Sequence, residues 1–303
     1  MMLALPGYIL GIDGGGTKTI ARLIDVGSRQ QWEAKGGAAS LTNDFAGAVD
    51  TLSNLIMSLL TRAEVHPEQV VSVIGVAGAG SSARASKLRQ ALDLPFAELI
   101  ICNDARTSLY GANLGHPIAM VALGTGSVGA RLDAQGEISF YGGWGFSAGD
   151  EGGGAKLGLQ TVKCALAELD KSGGLKSALA KRVGMEIGTN RDSILTWLSA
   201  AGPADFARFS HLVFELAGSC PVANNIILIH CQHVEQLIAC TVADSGLQVV
   251  MLGGLAEPTQ LYLSCETHGL LTEPKGTALD GACLMAQRVV DERINFGVTD
   301  NAS

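Results

Sequence analysis

Three consecutive glycines between a strand-ending aspartate and Thr-Lys-Thr restrict the start of this chain to few folds. The segment reads Gly11-Ile-Asp-Gly-Gly-Gly-Thr-Lys-Thr19. Tyr8–Asp13 before it is a short apolar strand, and Thr19–Asp25 after it alternates out to a turn at Gly27-Ser28. Gln31–Lys35 supplies a third strand of the meander. Gly14, Gly15 and Gly16 permit positive φ and let backbone N–H groups approach a phosphate without a Cβ in the way. Thr17 and Thr19 offer hydroxyls, Lys18 offers charge, and Asp13 is placed to hold Mg2+ directly or through water. A ligand-free hairpin turn is the plainer alternative, but it has no need of three glycines flanked by an acid and two threonines. The GxxxxGK[ST] spacing is absent and no helix follows, so a β-hairpin would grip the phosphate.

The pattern then restarts. Ile118–Leu123 reads as a strand entering Gly124-Thr-Gly-Ser-Val-Gly129, a literal GxGxxG. A dinucleotide site would need a helix at the third glycine and an acid on the next strand roughly 20 residues later. Here Val128–Leu132 alternates as a strand, turns at Asp133–Gly136 and returns as Ile138–Tyr141. Thr125, Gly126 and Ser127 are therefore read as a second phosphate loop. Two such meanders suggest a weak internal duplication with a boundary near His116-Pro117, giving domains 1–117 and 118–303. Helices are expected over Asp44–Arg62, Ser82–Leu92, Asp104–Leu114, Gly149–Leu169, Leu175–Val183, Arg191–Ala200, Ala204–Ala217 and Val222–Asp244. Strands are expected over Val70–Val76, Glu98–Cys102 and Leu247–Leu252. A terminal helix over about 276–293 is free to pack back on the first domain.

Of the 303 residues 47% are hydrophobic and 17% charged, ample for two cores and too apolar for disorder. No apolar run reaches the ~20 residues of a membrane span, and Met1–Pro6 lacks the basic start of a signal peptide. The expectation is a cytoplasmic protein with no membrane partner. A net charge of −8 and the lack of a basic cluster argue against nucleic acid. Seven scattered cysteines suit reduced thiols, and Cys231-Gln-His233 with Cys240 falls in a helical stretch without a paired CxxC.

Two facing phosphate loops, each opening a duplicated unit, resemble the actin-like nucleotide-binding superfamily. The likeness extends to Ile74-Gly-Val-Ala-Gly-Ala-Gly80, Met251-Leu-Gly-Gly-Leu255 and Gly276-Thr-Ala-Leu-Asp-Gly-Ala-Cys283. Within that superfamily, Gly142-Gly-Trp-Gly-Phe-Ser-Ala-Gly-Asp-Glu-Gly152 resembles the GGWGxxxGDEGS block of the N-acetylglucosamine and glucosamine kinase branch of the BadF/BadG/BcrA/BcrD ATPases. The resemblance spans nearly the whole chain and is thinnest from about 170 to 245. It implies an α/β fold of two actin-like (ribonuclease H-like) domains with a nucleotide cleft between them that close on the sugar. It also implies ATP and Mg2+ as cofactors, and phosphorylation of an amino sugar at its 6-hydroxyl. Dimers are common among such kinases, so a homodimer is compatible with it, though no segment marks an interface.

Carried over residue by residue, the resemblance makes Asp104 the base that orients the 6-hydroxyl; the plainer alternative for Asp104 is a helix cap. Gly143, Trp144, Gly145 and Asp150 match sugar-contacting positions, with core packing the alternative for Trp144. Asn43 matches a sugar contact from the first domain and is otherwise the cap of the following helix. Gly253 and Gly254 leave room for adenine and ribose. Gly149–Gly154 also reads as a helix start with a capping acid, leaving Glu151 open to either use. Val128 stands where vertebrate-type members carry Asn, which keeps free glucosamine beside N-acetylglucosamine as a substrate. The CxCGxxGC zinc motif of the repressor/kinase (ROK) group is absent. The rival readings are an ATPase activating a redox partner, which would call for clustered cysteines, and a sugar- and ATP-binding regulator without turnover.

Overall fold

The computed structural model describes residues 6–299, which form two compact units. Unit 1 comprises the chain up to Pro117, Leu132–Gln135 and the segment from Pro274; unit 2 comprises Ile118–Arg131 and Gly136–Glu273. This differs from a single cut after residue 117, because residues 274–299 group with unit 1.

Unit 1 contains β1 (Tyr8–Gly14), β2 (Thr19–Asp25), β3 (Gln31–Gly36), α1 (Phe45–Ala63), β4 (Val70–Val76), α2 (Ser82–Leu92), β5 (Glu98–Cys102) and α3 (Asp104–Ala112). Its sheet runs β3-β2-β1-β4-β5. The hairpin partners β1 and β2 are antiparallel, whereas β1, β4 and β5 are parallel. β4 is Val-Val-Ser-Val-Ile-Gly-Val and wholly buried, the apolar run expected of a central parallel strand. Alternate residues of β1 and β2 (Leu10, Ile12, Ala21, Leu23) join Leu52, Ile56 and Leu59 of α1 in the core.

Later in the chain come β6 (Ile118–Leu123), β7 (Ser127–Leu132), β8 (Ile138–Gly142), α4 (Gly154–Ser172), α5 (Ala178–Ile187) and α6 (Arg191–Ala200). They are followed by α7 (Pro203–Ala207), α8 (Ser210–Leu216), α9 (Pro221–Val242), β9 (Val249–Leu252), α10 (Ala256–Gln260), α11 (Cys265–His268) and α12 (Ala278–Thr299). The second sheet runs β8-β7-β6-β9, with β6 and β9 parallel. α12 packs on α3 and β1 in unit 1. Small residues permit that approach: a methyl group at Gly281 would collide with the Thr107 carbonyl, and Arg22 pairs with Asp280 at 2.7 Å.

Three features differ from the sequence expectation. The helix expected over Ala204–Ala217 is broken into α7 and α8, because the bend at 208–209 turns both Phe206 and Phe209 into the core beside Trp197. The helix expected from Gly149 starts at Gly154, after a loop. Pro221–Ser245 is long and apolar enough to cross a membrane, with hydropathy 1.4, contrary to the expectation that no such run exists. In this fold Ala223, Ile226, Ile227, Cys231, Val234 and Ile238 of α9 lie in the core of unit 2.

Candidate active site

Unit 1 gathers its candidate residues at the carboxyl edge of its parallel strands, where open α/β sheets place their ligands. In register, Asp13 of β1 lies beside Gly75 of β4, and Gly75 beside Cys102 of β5. Asp13 and the residues after Cys102 therefore emerge at one level. The first loop closes with Gly15 N–H donating to Lys18 O at 3.0 Å. Two further carbonyls are engaged by the next segments: Gly14 O accepts from Ala77 N at 2.9 Å and Gly15 O from Ala39 N at 2.8 Å. Gly16, Thr17 and Lys18 are exposed at the tip, which puts the Lys18 charge at the open end of the loop. Thr19 differs from expectation. It is fully buried, and its hydroxyl donates to Gly37 O at 2.8 Å, tying the hairpin to the next segment instead of facing outward.

That segment brings Asn43 to the same edge. Leu41 N donates to Ala77 O at 2.9 Å, and Ser40 bridges to Ala77. The cap of α1 is Asp44, whose carboxylate accepts from Gly47 N at 3.0 Å. Asn43 is thus free of the capping role and exposed.

Asp104 is likewise released from capping. Asn103 is the N-cap of α3, accepting from Arg106 N at 3.0 Å, and Asp104 stands at the first helical position with Oδ1 accepting from Ala105 N at 3.0 Å. Burial pushes the Asp104 carboxyl above its ordinary range, against the pull of the Ala105 amide. Burial also raises Asp13; the Asp104 charge raises it further, and Lys18 opposes both. Two neighbouring carboxylates, one of them raised by the charge of the other, are a donor set suited to a hard cation. Among the described residues no group of three or more His, Cys, Asp or Glu side chains is arranged to hold a metal ion by itself. Two carboxylates suit Mg2+, which keeps waters and phosphate oxygens as its other ligands.

The elevation of these carboxyls has a consequence for stability. A carboxylate whose folded value lies above its unfolded value destabilises the fold at neutral pH, and the penalty fades as pH falls through the folded value. Asp13→Asn should therefore raise the metal-free Tm at pH 7 by on the order of a few degrees. The gain should shrink as the medium is acidified. Thermal unfolding in a chelator across pH 4–8 reads this directly, and a lower Tm at pH 7 would contradict it.

In unit 2 the ends of β6 and β9 coincide, Ala122 pairing with Leu252. Thr125 is exposed, whereas Ser127 is buried and its hydroxyl donates to Glu151 O at 2.7 Å. Ser127 thus fastens the second loop to the Gly-Asp-Glu-Gly segment, unlike the phosphate contact expected of it. α4 is seated on the same loop: Gly154 N donates to Gly124 O and Ala155 N to Thr125 O, each at 2.8 Å. These bonds satisfy two amides that the cap residue Gly153, having no side chain, cannot. A methyl group at Gly153 would lie 2.6 Å from the Gly126 carbonyl carbon, so the seat requires glycine.

Asp150 lies against Gly126 and accepts from Gly145 N at 3.1 Å, closing the Gly142–Gly152 loop. Burial raises its carboxyl; Gly145 and Lys156 counter that rise, and Glu151 adds to it. Gly143 and Gly145 take positive φ, and Trp144 between them is 80% exposed, which excludes the core-packing alternative. Gly253 and Gly254 are exposed after β9, Gly253 with φ 95°. Of the cysteines, Cys102, Cys220, Cys231 and Cys283 are buried and Cys240 and Cys265 exposed. Lys156, which pairs with Glu151 of this loop, carries no motif that marks it in the sequence.

The sequence profile of the BadF/BadG/BcrA/BcrD ATPase family matches residues 10–267. The chain belongs to that family. Among this family member's relatives, glucosamine kinase GspK of Vibrio cholerae is 29% identical over 287 residues, 92% of this chain and 95% of its own. An N-acetylmuramic acid/N-acetylglucosamine kinase of Clostridium acetobutylicum is 31% identical over 170 residues, 55% of this chain and 56% of its own. The crystal structure of a provisional N-acetylglucosamine kinase from Chromobacterium violaceum superposes with TM-score 0.82 at 29% identity, covering 92% of this chain and 98% of that one. A ROK hexokinase from Thermus thermophilus, at 16% identity and TM-score 0.54 over 93% of this chain and 99% of its own, shares the fold.

Proposed function

We propose that this family member is an ATP-dependent kinase that phosphorylates the 6-hydroxyl of glucosamine or N-acetylglucosamine. The observation that carries the reading is Asp104, a half-buried carboxylate free of capping duty beside a glycine phosphate loop. Asp104 fixes the hydroxyl in line and accepts its proton late, as a loose phosphoryl-transfer transition state requires. Within unit 1, Gly14–Lys18 would contact phosphate; within unit 2, Thr125 and Gly126 would do so, with Gly253 and Gly254 beside the adenosine. Bound Mg2+, held through Asp13 and phosphate oxygens, would neutralise charge on the transferring group. The sugar contacts proposed for unit 2 are Gly143, Trp144, Gly145 and Asp150, with backbone groups and one carboxylate accepting from hydroxyls; Asn43 is the sugar contact proposed for unit 1.

The relatives support an amino sugar as the acceptor. A methyl group at Gly143 would lie 3.0 Å from Val128 Cγ2, so an apolar branch borders the sugar loop. That position offers the acetamido group no hydrogen bond, which favours glucosamine. ADP release measured over a panel of amino and neutral hexoses should give its highest kcat/KM with glucosamine, ahead of N-acetylglucosamine. ATP binding without turnover on any amino sugar would refute the substrate assignment.

A further inference from the structure

Lys156 occupies the third position of α4, within its first turn, where the positive end of the helix dipole disfavours a cation. Two contacts offset that. Its ammonium pairs with Glu151 Oε1 at 3.0 Å and stands 5.7 Å from the centroid of the Phe146 ring. Both partners belong to the loop that carries Trp144 and Asp150. Phe146 in turn stacks on Phe206 at 5.8 Å, and the Glu151 carbonyl holds the Ser127 hydroxyl. The loop needs such restraint: Gly142, Gly143, Gly145 and Gly152 all take positive φ, as does the non-glycine Asp150 at 66°.

We propose that Lys156 is the positioning residue of this loop, a cationic clip that holds Phe146 and Glu151 from one side and so presents Trp144 and Asp150. The sugar-binding consequence rests on the function proposed above; the clip itself does not. The pair is only partly sheltered, Lys156 being 24% and Glu151 47% exposed, so its effect is modest and sensitive to salt. Lys156 also lines a cavity of about 210 Å3 with Glu151, Gln160, Lys163, Ile229 and His233, which gives a small cation access to the clip.

The test has a kinetic and a spectroscopic arm on the full chain. With 5-fluorotryptophan incorporated, the 19F resonance of Trp144 is assigned by Trp144→Phe, and Trp32 in unit 1 serves as reference. Lys156→Met should shift or broaden the Trp144 resonance and leave Trp32 unmoved. It should raise the KM for the amino sugar about fivefold, with kcat and the KM for ATP within about twofold, the scale of a part-exposed pair. Glu151→Gln, which breaks the pair from the loop side, should move Trp144 in the same way. Lys156→Arg should keep both signals near wild type. Propylammonium, entering by the cavity, should restore the sugar KM of Lys156→Ala. An unmoved Trp144 resonance in both Lys156→Met and Glu151→Gln would overturn the proposal, whatever the kinetics. A shifted resonance in a protein inactive on every amino sugar would uphold the clip and refute the kinase assignment.

Discussion

Asp104→Asn is expected to lower kcat about 10³-fold while leaving sugar and ATP binding within about an order of magnitude. The substitution is informative because the surrounding structure tolerates it. Asn103 caps α3, so the helix start does not depend on the charge at 104. The amide that Asp104 accepts, Ala105 N, can donate equally to an Asn carbonyl oxygen. The remaining local bond, Thr107 Oγ1 to Asp104 O, uses the backbone and is untouched. Removing a carboxylate raised by burial also removes a desolvation penalty, so Tm should hold or rise. Lost turnover with a preserved Tm therefore reports chemistry and not folding. In wild type, kcat/KM should fall as pH drops, with its acid limb displaced upward from an exposed carboxylate because Asp104 must be ionised to act as base. Unchanged kcat in the Asn variant would remove Asp104 from the mechanism.

Much of this arrangement was legible in the sequence, and the parts that were not share a cause. Strand alternation and the two glycine loops placed both hairpins, because period-2 patterning and glycine runs are local signals. The Asp150 segment was marked by its resemblance to the GGWGxxxGDEGS block, whereas patterning alone read it as the start of a helix. The partners of hydroxyls were not legible where tertiary contact decides. Thr17 and Thr19 are indistinguishable in a string, yet the strand pleat buries Thr19 against Gly37 and leaves Thr17 exposed. The partner of Ser127, Glu151, lies 24 residues away and is equally hidden from a local reading. Asn103-Asp104 and Asn43-Asp44 each offer two good caps in succession. The backbone selects Asn103 in one and Asp44 in the other, freeing Asp104 and Asn43. The start of α4 was misread because its first amides are satisfied by carbonyls of the second loop, a contact no side-chain signature announces. One local clue did exist for Lys156: a lysine in the first turn of a helix calls for a partner.

Gly253→Ala should destabilise unit 2 by about 3 kcal/mol, a Tm loss of roughly 5–10 °C, before any effect on nucleotide is felt. From sequence, the Gly253-Gly254 pair reads as room for an adenosine; the structure separates the two. Gly253 has φ 95°, a conformation that an L side chain reaches only with strain. A methyl group there would collide with the Leu123 carbonyl oxygen, which itself accepts from Leu255 N at 3.1 Å. That carbonyl ends β6, so it cannot retreat without loosening the β6–β9 pairing that aligns Ala122 with Leu252. A methyl group at Gly254, by contrast, meets nothing within 4 Å. Gly254→Ala should leave Tm within about 1 °C, because a surface substitution away from special backbone seldom matters. If adenosine lies against this turn, Gly254→Ala should still raise the KM for ATP. Differential scanning calorimetry of both variants with ATP kinetics separates the two roles. Equal Tm values would show that the backbone constraint at Gly253 is relaxed in solution, and an unchanged KM for ATP in Gly254→Ala would move the adenosine elsewhere.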